Sequence, residues 1–346
     1  MKENWTYKKL GEVCEIICGQ DYKSIQDDNG LFPIYGTGGV MGRASQYRCP
    51  ANSVIIGRKG NINNPLFVEE PFWNVDTAFG VVPKESMLFP KFFYFFCKNY
   101  DFTKHDVSVT IPSLRRTDIM KIDVPVPPIS EQKHIVSELD LLQSIIDKQQ
   151  AQLKELDKLA QAVFYDMFGD PVENEKGWEV NRLGDVCELK AGKSIKASEL
   201  SNSPAKGLFP CYGGNGIRGF IAKKTHNKTY PIIGRQGALC GNVNMAQAPF
   251  YATEHAVVVT PSIKLDVKWL YFQLKAMRLN QYAHGVAQPG LAVQDLTPLS
   301  MIVPPINLQQ SFAAKIESIE KQKSAISQSI AETQKLFDYT MDKYFG

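Results

Sequence analysis

Long hydrophobic runs are absent from this chain of 346 residues. The longest, FFYFFC at Phe92–Cys97, is far shorter than the roughly 20 apolar residues with which a helix crosses a bilayer. The N-terminal sequence, MKENWTYKKL, has no apolar stretch of the kind found in secretory signals. We therefore expect a cytoplasmic protein without membrane spans or a secretory leader.

Paired metal ligands are also missing. The seven cysteines include no Cys-x-x-Cys pair, and their odd number argues against a secreted, disulfide-stabilised scaffold. The five histidines are scattered, and none stands four residues from another, as two zinc ligands on one helix would. We expect no metal site.

Motifs for catalysis are incomplete wherever they occur. GNGIRG at Gly214–Gly219 has the glycine spacing of a dinucleotide-binding loop, but the sequence after it does not begin a helix. AGKS at Ala191–Ser194 ends like a phosphate-binding loop, yet Cys187 stands where the first glycine belongs. EQK at Glu131–Lys133 is typical of a helix start rather than a nuclease. Because no NPPY-type or DPPY-type segment occurs either, we expect no catalytic site and no cofactor in this chain.

What the chain does contain is a duplication. Leu31 recurs as Leu208, 177 residues later, and nearly the same offset relates the segments from there to the chain end, whereas Trp5 and Trp178 are 173 residues apart. A period this long indicates a duplicated domain with its connector rather than a solenoid repeat. The matching segments are Trp5–Ile16 with Trp178–Leu189, Leu31–Gly39 with Leu208–Gly216, Ile55–Asn61 with Ile232–Ala238, and Val126–Ile129 with Val303–Ile306.

Each copy begins as a strand-rich domain and ends as a long helix. Short β-branched runs bounded by Gly, Pro and Asn predict strands, and the aromatic stripe of Pro90–Tyr100, matched by Val267–Met277, predicts one core helix in each domain. The predicted fold class is α+β, with two similar mixed α/β domains and a tandem repeat of 177 residues that makes the chain pseudo-two-fold symmetric. The predicted segments are domain 1 at 1–129, helix 1 at 130–169, domain 2 at 170–306 and helix 2 at 307–346.

Apolar residues in the two helix segments recur at alternating spacings of four and three. This heptad pattern predicts that the helices pair with each other as a coiled coil. Antiparallel pairing would place the domains at opposite ends of one rod, whereas parallel pairing would require domain 2 to span the whole rod. We favour the antiparallel arrangement. The predicted pairing residues are Ile135, Leu139, Leu142, Ile146, Leu153, Leu156, Phe312, Ile316, Ile319, Ile326 and Ile330.

Positive charge is concentrated in the predicted domains. Net charge is +1 for 1–129 and +5 for 170–306, but −3 for 130–169 and zero for 307–346. This distribution fits a phosphate-facing surface on the domains, although charge alone is equally compatible with an ordinary solvated surface.

The loops that differ between the copies are rich in hydrogen-bonding side chains. Arg or Lys reads guanine and Asn or Gln reads adenine in the major groove, so two similar domains with different loops would read two different sequences. The alternative is that the loops differ because loop sequences drift freely during evolution. For Arg58 and Arg235, the alternative to a DNA contact is a surface ion pair. The candidate DNA-binding residues are Tyr35, Thr37, Arg43, Arg58, Lys59, Asn61, Thr110, Ser113, Arg115, Arg116, Tyr212, Asn215, Arg218, Arg235, Gln236 and Gln288.

In its repeat order the whole chain resembles the specificity subunits of type I restriction–modification enzymes. The resemblance is carried by the two Trp-x4-Leu-Gly entries, the Gly-Arg-x-Gly segments, the Val-Pro-Pro-Ile exits into heptad helices, and MFGDP followed by EKGWEV. It implies that each domain reads half of a bipartite, asymmetric site in double-stranded DNA. It also implies that the helices set the spacing and dock two methyltransferase subunits, which bind S-adenosylmethionine, while a separate motor–nuclease subunit cleaves. An interaction scaffold for protein or carbohydrate is the second hypothesis, and a self-contained nuclease or methyltransferase is the third.

Overall fold

The computed structural model of the chain describes residues 5–108, 110–285 and 289–346. Contacts group the chain into two compact units, the first formed by Met1–Gln150 with Gln328–Gly346 and the second by Ala151–Ser327. Each long helix therefore contributes one part to each unit. Within the described residues, no helix combines the length and apolar character that crossing a bilayer requires.

The first unit begins with strands and short helices and continues into a long helix. Its elements in chain order are β1 (Thr6–Lys9), α1 (Leu10–Val13), β2 (Cys14–Cys18), β3 (Phe32–Gly36), β4 (Gly39–Ala44), β5 (Ser53–Gly57), β6 (Leu66–Val68), β7 (Trp73–Asn74), β8 (Ala78–Pro83), α2 (Pro90–Asn99), α3 (Arg116–Ile119), β9 (Asp123–Val126) and α4 (Ile129–Phe168).

These strands form three small sheets. A four-stranded antiparallel sheet has the order β2-β8-β5-β6, and a three-stranded sheet has the order β4-β3-β7 with β3 and β7 parallel. The pair β1-β9 brings the entry and the exit of the domain together, with Thr6 opposite Val126. This pairing places the start of α4 beside the start of the domain.

The elements of the second unit repeat those of the first. They are β10 (Val180–Arg182), α5 (Leu183–Val186), β11 (Cys187–Ala191), β12 (Phe209–Gly213), β13 (Gly216–Ile221), β14 (Tyr230–Gly234), β15 (Val243–Ala246), β16 (Tyr251–Ala252), β17 (Ala256–Pro261), α6 (Val267–Ala276), α7 (Val293–Leu296), β18 (Ser300–Ile302) and α8 (Ile306–Phe345). Their sheets, β11-β17-β14-β15, β13-β12-β16 and β10-β18, have the same order and the same parallel pair. The predicted α+β class and tandem repeat are confirmed.

The core helix of each unit buries its aromatic stripe, as predicted. Phe92 and Phe93 on α2 are fully buried in the first core, and Trp269 on α6 is fully buried in the second. The first core also includes Phe337 and Met341 of α8, which therefore packs onto the globular part of the first unit. Aromatic burial of this kind supplies a large share of the hydrophobic stabilisation of a small domain.

Within each unit the two long helices run antiparallel, which confirms the predicted pairing. In the first unit Tyr344 donates to Glu138 at 2.9 Å, and Gln149 donates to Ser329 at 2.7 Å. In the second unit the ring of Phe168 lies 5.5 Å from that of Phe312. In the first unit, the residue numbers of the contacting α8 residues decrease as those of their α4 partners increase. In the second unit, Lys323 pairs with Asp157 and Phe312 packs against Phe168, so the helices again run in opposite directions.

Burial along the predicted helix seam changes with distance from the sheets. A helix pair alone covers an apolar seam less completely than a helix pair packed against a globular domain. The fully covered seam residues are Ile135, Leu139, Leu142 and Ile146 in the first unit, and Phe312, Ile316 and Ile319 in the second. The half-buried ones are Leu153, Leu156, Ile326 and Ile330.

A buried glutamine fixes each long helix to its own domain. Gln132 accepts the N–H of Phe89, which precedes α2, at 2.7 Å and donates to the carbonyls of Met87 and Pro127. Gln309 accepts the N–H of Asp266 at 2.9 Å in the same way. Because a buried amide with satisfied hydrogen bonds holds one geometry, the start of the helix is rigidly positioned on the core helix.

Candidate nucleic-acid interface

The Gly-Arg-Lys-Gly segment after β5 is held by a distant loop. The N–H of Gly60 donates to Pro112 O at 2.8 Å, and the N–H of Leu114 donates to Arg58 O at 2.9 Å. The backbones of Lys59 and Ser113 form an isolated antiparallel β-bridge. We name residues 57–60 with 112–114 the first clamp. It brings together Arg58, Lys59 and Ser113 from the predicted site and places Arg115 directly beside them.

The second unit contains the same arrangement. The N–H of Gly237 donates to Pro289 O at 2.9 Å, and the N–H of Leu291 donates to Arg235 O at 2.9 Å. The backbones of Gln236 and Gly290 form an isolated antiparallel β-bridge. Residues 234–237 with 289–291 are the second clamp. The two clamps share their backbone hydrogen bonds, so their differences lie in the side chains that they present.

The matched arginines are fastened to their own domains. Arg58 donates from Nη1 to the carbonyl of Asp76 at 3.1 Å, and Arg235 donates from Nη1 to the matched carbonyl of Glu254 at 3.5 Å. Arg235 Nε is buried and has no hydrogen-bond partner among the described residues. Both guanidinium groups are half-buried and fixed in direction, and they retain N–H groups that the domain does not use.

Three exposed cations flank the first clamp. Lys59, Arg115 and Arg116 are exposed, and within the described chain no hydrogen bond or ion pair involves their side chains. The second clamp has Gln236, Ala292 and Val293 at the matched positions, which carry no charge. Asn61 and Thr110 add exposed hydrogen-bonding side chains next to the first clamp. A surface with three unpaired cations and adjacent polar groups is suited to an anionic polymer.

A single carboxylate shapes the loop of the first clamp. Asp106 Oδ1 accepts the backbone N–H of Ser113 at 2.8 Å and that of Ser108 at 3.0 Å. These hydrogen bonds, that from Ser113 first, lower the pKa of the Asp106 carboxyl below its ordinary value. The second unit has Ala283 at this position, and there the N–H and carbonyl of His284 pair with Gly290 instead.

In the second unit, the exposed cation among the predicted site residues is Arg218, which lies on the hairpin formed by β12 and β13. The turn at Gly213–Gly216 packs against the end of β14, where a Cβ on Gly234 would come within 2.1 Å of Gly214 O. Only glycine permits this approach. The packing opens a cavity of about 520 Å³ whose lining includes Asn215, Arg218 and Gln236, three predicted site residues.

The hairpin of the first unit has different chemistry. Its turn at Gly36–Gly39 contains Thr37, which is half-buried, and Met41 occupies the position of Arg218. A Cβ on Gly57 would lie 2.1 Å from Asn61 O, so the end of β5 packs closely against the residues that follow the clamp segment.

Three of the predicted DNA-binding residues make contacts within their own domain, and a fourth lies outside the described residues. Tyr212 is 5% exposed, packs edge-on to Phe250 and accepts the N–H of Gln247, so its ring belongs to the core. Tyr35 is half-buried and packs edge-on to Phe72 in the same way. Arg43 donates to the carbonyls of Gly30 and Leu31 and holds that loop. Gln288 lies outside the described residues.

Other residues at this surface were not predicted. His255 and Leu239 line the cavity of the second unit. Val40 and Ile217 are exposed aliphatic residues at matched positions beside the two hairpin turns. Val40 and Ile217 match in the repeat, but their apolar side chains have no hydrogen-bonding group that would have indicated a reading role.

Comparison with known proteins agrees with this architecture. The family model of the type I restriction modification DNA specificity domain matches residues 2–158 and again 175–334. The type I restriction enzyme EcoprrI specificity subunit of Escherichia coli is 32% identical over 296 residues, covering 81% of this chain and 74% of that protein. The MjaIX specificity subunit of Methanocaldococcus jannaschii is 24% identical over 309 residues, covering 79% and 69%.

The fold is also found in a solved structure. The crystal structure of the S subunit of a type I restriction–modification system from M. genitalium superposes with a TM-score of 0.64 at 17% identity, covering 100% of this chain and 98% of that one. Both copies of the duplication match the family model, and together the matches cover most of the chain. The chain therefore belongs to the family of type I restriction modification DNA specificity domains, as a non-catalytic recognition subunit of such a system.

Proposed function

We propose that this chain reads a bipartite, asymmetric site in double-stranded DNA for a type I restriction–modification complex. Residues 1–129 and 170–306 would be target-recognition domains, each reading one half-site, and helices 130–169 and 307–346 would set the spacing. The observation that carries the proposal is the pair of clamps, which share one backbone arrangement and present different side chains. Two similar scaffolds with different surface chemistry are suited to two different half-sites.

In the first domain, Lys59, Arg115 and Arg116 would neutralise phosphates and reach guanine edges. In the second, Arg218 would read guanine while Asn215 or Gln236 reads adenine. Arg pairs with guanine O6 and N7, and Asn or Gln pairs with adenine N6 and N7, through two hydrogen bonds each. The exposure of these side chains and their lack of charged partners within the described chain support this assignment.

The helices would act as a ruler. Each has 40 residues, a length of about 60 Å at 1.5 Å per residue. The buried Gln132 and Gln309 fix each helix start to its domain, so a change of helix length would be transmitted to the domain. Half-site centres one DNA turn apart are separated by about 34 Å, so the reading surfaces would lean inward along the rod.

The helices would also dock two copies of one methyltransferase. Leu159 and Leu336 occupy matched positions on α4 and α8 and are 47% and 52% exposed. A large apolar side chain exposed at the same place in both copies is typical of a surface that binds the same partner twice. The partner would bind S-adenosylmethionine, a separate motor–nuclease subunit would complete the complex, and the complex would act in the cytoplasm, where it meets chromosomal DNA.

Mapping methylated adenines by single-molecule sequencing tests the proposed reading function. Cells expressing this chain with its methyltransferase should show one motif of two dissimilar short half-sites separated by a fixed gap. Cells without the chain should lose that motif. A continuous motif, or unchanged methylation without the chain, would contradict the proposal.

The docking surface needs a separate experiment. Leu336→Asp and Leu159→Asp should each reduce the methyltransferase stoichiometry from two to one in native mass spectrometry, and the double variant should reduce it to none. Leu141→Asp, at an exposed helix leucine whose repeat counterpart is Ser318, is the matched control and should retain two copies. Full stoichiometry in the double variant would contradict this docking surface.

A further inference from the structure

Two aliphatic side chains stand exposed at matched positions beside the hairpin turns. Val40 on β4 is 60% exposed and Ile217 on β13 is 55% exposed. Each is paired across its hairpin with the tyrosine that anchors the turn, Val40 with Tyr35 and Ile217 with Tyr212. The two side chains therefore occupy the same place on the same scaffold.

One exposed aliphatic residue requires no explanation, since apolar atoms make up much of any protein surface. The neighbours of this pair differ between the copies: Gly38 corresponds to Asn215, and Met41 corresponds to Arg218. Both copies therefore have a β-branched side chain at this position, although the residues around it differ between the copies. Such side chains have few rotamers, so little conformational entropy is lost when a partner covers them.

The surroundings in the second unit indicate what such a partner offers. Ile217 and the exposed Leu239 line the same cavity as Asn215, Arg218 and Gln236. An apolar group is thus surrounded by the side chains that would read base edges. In the first unit the exposed Met41 extends the apolar surface beside Val40.

Within the major groove of DNA, the apolar feature of the bases is the 5-methyl group of thymine. We propose that Val40 and Ile217 each pack against a thymine methyl group, so that each half-site contains a thymine read by apolar contact. This inference rests on the proposed DNA-reading function and extends it to the bases recognised. It predicts at least one A·T pair, with thymine on the contacted strand, in each half-site.

The test replaces thymines of the motif one at a time by deoxyuridine, which lacks only the methyl group. Binding would be measured with the complex of this chain and its methyltransferase. One replacement in each half-site should weaken binding about fourfold, the factor expected for one buried methyl group. Ile217→Ala should abolish this sensitivity in one half-site and Val40→Ala in the other, as a double-mutant cycle reports.

Leu141→Ala, at an exposed helix leucine, is the control and should leave both sensitivities unchanged. Equal binding to every deoxyuridine-containing site, or sensitivity that persists in both variants, would overturn the inference. An increase in 2-aminopurine fluorescence that depends on Ile217 would also overturn it, because it would indicate insertion between bases. In each of these cases sequence-specific binding would remain, whereas its complete absence would instead contradict the proposed function.

Discussion

The two proposed reading surfaces place their exposed cations on different elements of one scaffold. In the first unit, Lys59, Arg115 and Arg116 surround the clamp, and the hairpin has Met41. In the second, the positions matching Lys59, Arg115 and Arg116 are uncharged, and the hairpin has Arg218 beside a cavity. Because the clamp backbone is the same, new surface chemistry required no new fold. Under the proposed function, one scaffold can carry its reading side chains on the clamp or on the hairpin.

The parts that match are those that hold the backbone. Gln132 and Gln309 bind the same region of their core helices, and Gly57 and Gly234 both allow a carbonyl to approach within about 2.1 Å of where a Cβ would lie. Substitution at these positions should affect folding, whereas substitution at the charged positions should affect DNA binding. Four experiments test this division.

The largest effect is expected from the buried glutamines. Gln132→Ala removes three hydrogen bonds and leaves buried backbone groups without partners, so it should lower the free energy of unfolding by about 3 kcal/mol. Gln309→Ala removes two hydrogen bonds, with the N–H of Asp266 and the carbonyl of Pro304, and should cost less, about 2 kcal/mol. Hydrogen exchange at Phe89 and Asp266 would report the loosening of each unit.

Gln150, which is exposed on α4, supplies the control for this comparison. Gln150→Ala should change the unfolding free energy by less than about 0.5 kcal/mol. Equal, small effects of all three substitutions would show that the buried glutamines do not anchor the helices.

The next effect concerns the charge of the first clamp. Replacing Lys59, Arg115 and Arg116 together by alanine should weaken DNA binding roughly a hundredfold at about 0.1 M salt. The slope of log K against log salt should fall by about 3, because each lost phosphate contact contributes about 0.9. A fluorescence titration at several salt concentrations measures both quantities.

Removing equal charge elsewhere is the matched control. The triple substitution of Lys148, Lys154 and Lys335 by alanine removes three exposed helix lysines without ion pairs among the described residues. It should change the salt slope by less than one. Similar slopes for both triple variants would remove the distinction between clamp and helix charge.

Arg218 should have a more local effect. Arg218→Ala should relax the preference at one base pair of one half-site about tenfold, because a two-hydrogen-bond contact to guanine is lost. Met41→Ala, at the matched position, should relax no guanine preference in the other half-site. Selection from randomised DNA measures both. An effect of Met41→Ala on guanine preference would contradict the division between clamp and hairpin.

The smallest expected effect is a loss of order in the first clamp loop at acidic pH. The folded pKa of Asp106 is lowered, so its stabilising contribution is complete above the ordinary aspartate pKa and is lost as pH falls through the lowered value. The protection factors of the Ser108 and Ser113 amides, taken relative to their intrinsic exchange rates, should therefore be constant from about pH 5 upward and fall in more acidic solution. Asp106→Asn should show faster exchange at all pH values, and the second clamp, with Ala283, should show no such acid step.

Much of the scaffold could be predicted from the sequence because it depends on periodicity. The 177-residue repeat predicted two equivalent halves, the heptads predicted that the long helices pair, and the span required for parallel pairing favoured the antiparallel arrangement. The predicted division into segments at 129, 169 and 306 remains a prediction, since compactness groups parts of both helices with each unit.

The site was less predictable, since it depends on contacts between distant residues. The clamp pairs Lys59 with Ser113, and no local pattern indicates that backbone bridge. Arg43 and Tyr212 have the right chemistry for DNA, but one is engaged by Gly30 and Leu31 and the other is buried. Residue type predicts what a side chain can bind, whereas the fold decides whether it is free to do so.

The ruler tests the central claim most directly. One heptad would be deleted from the middle of both long helices, which shortens each by about 10 Å while retaining the apolar seam. Methylome sequencing should then show the same two half-sites with a shorter gap, by at most about three base pairs at 3.4 Å per pair. An unchanged gap with intact methylation would contradict the account, because the helices would then not set the spacing.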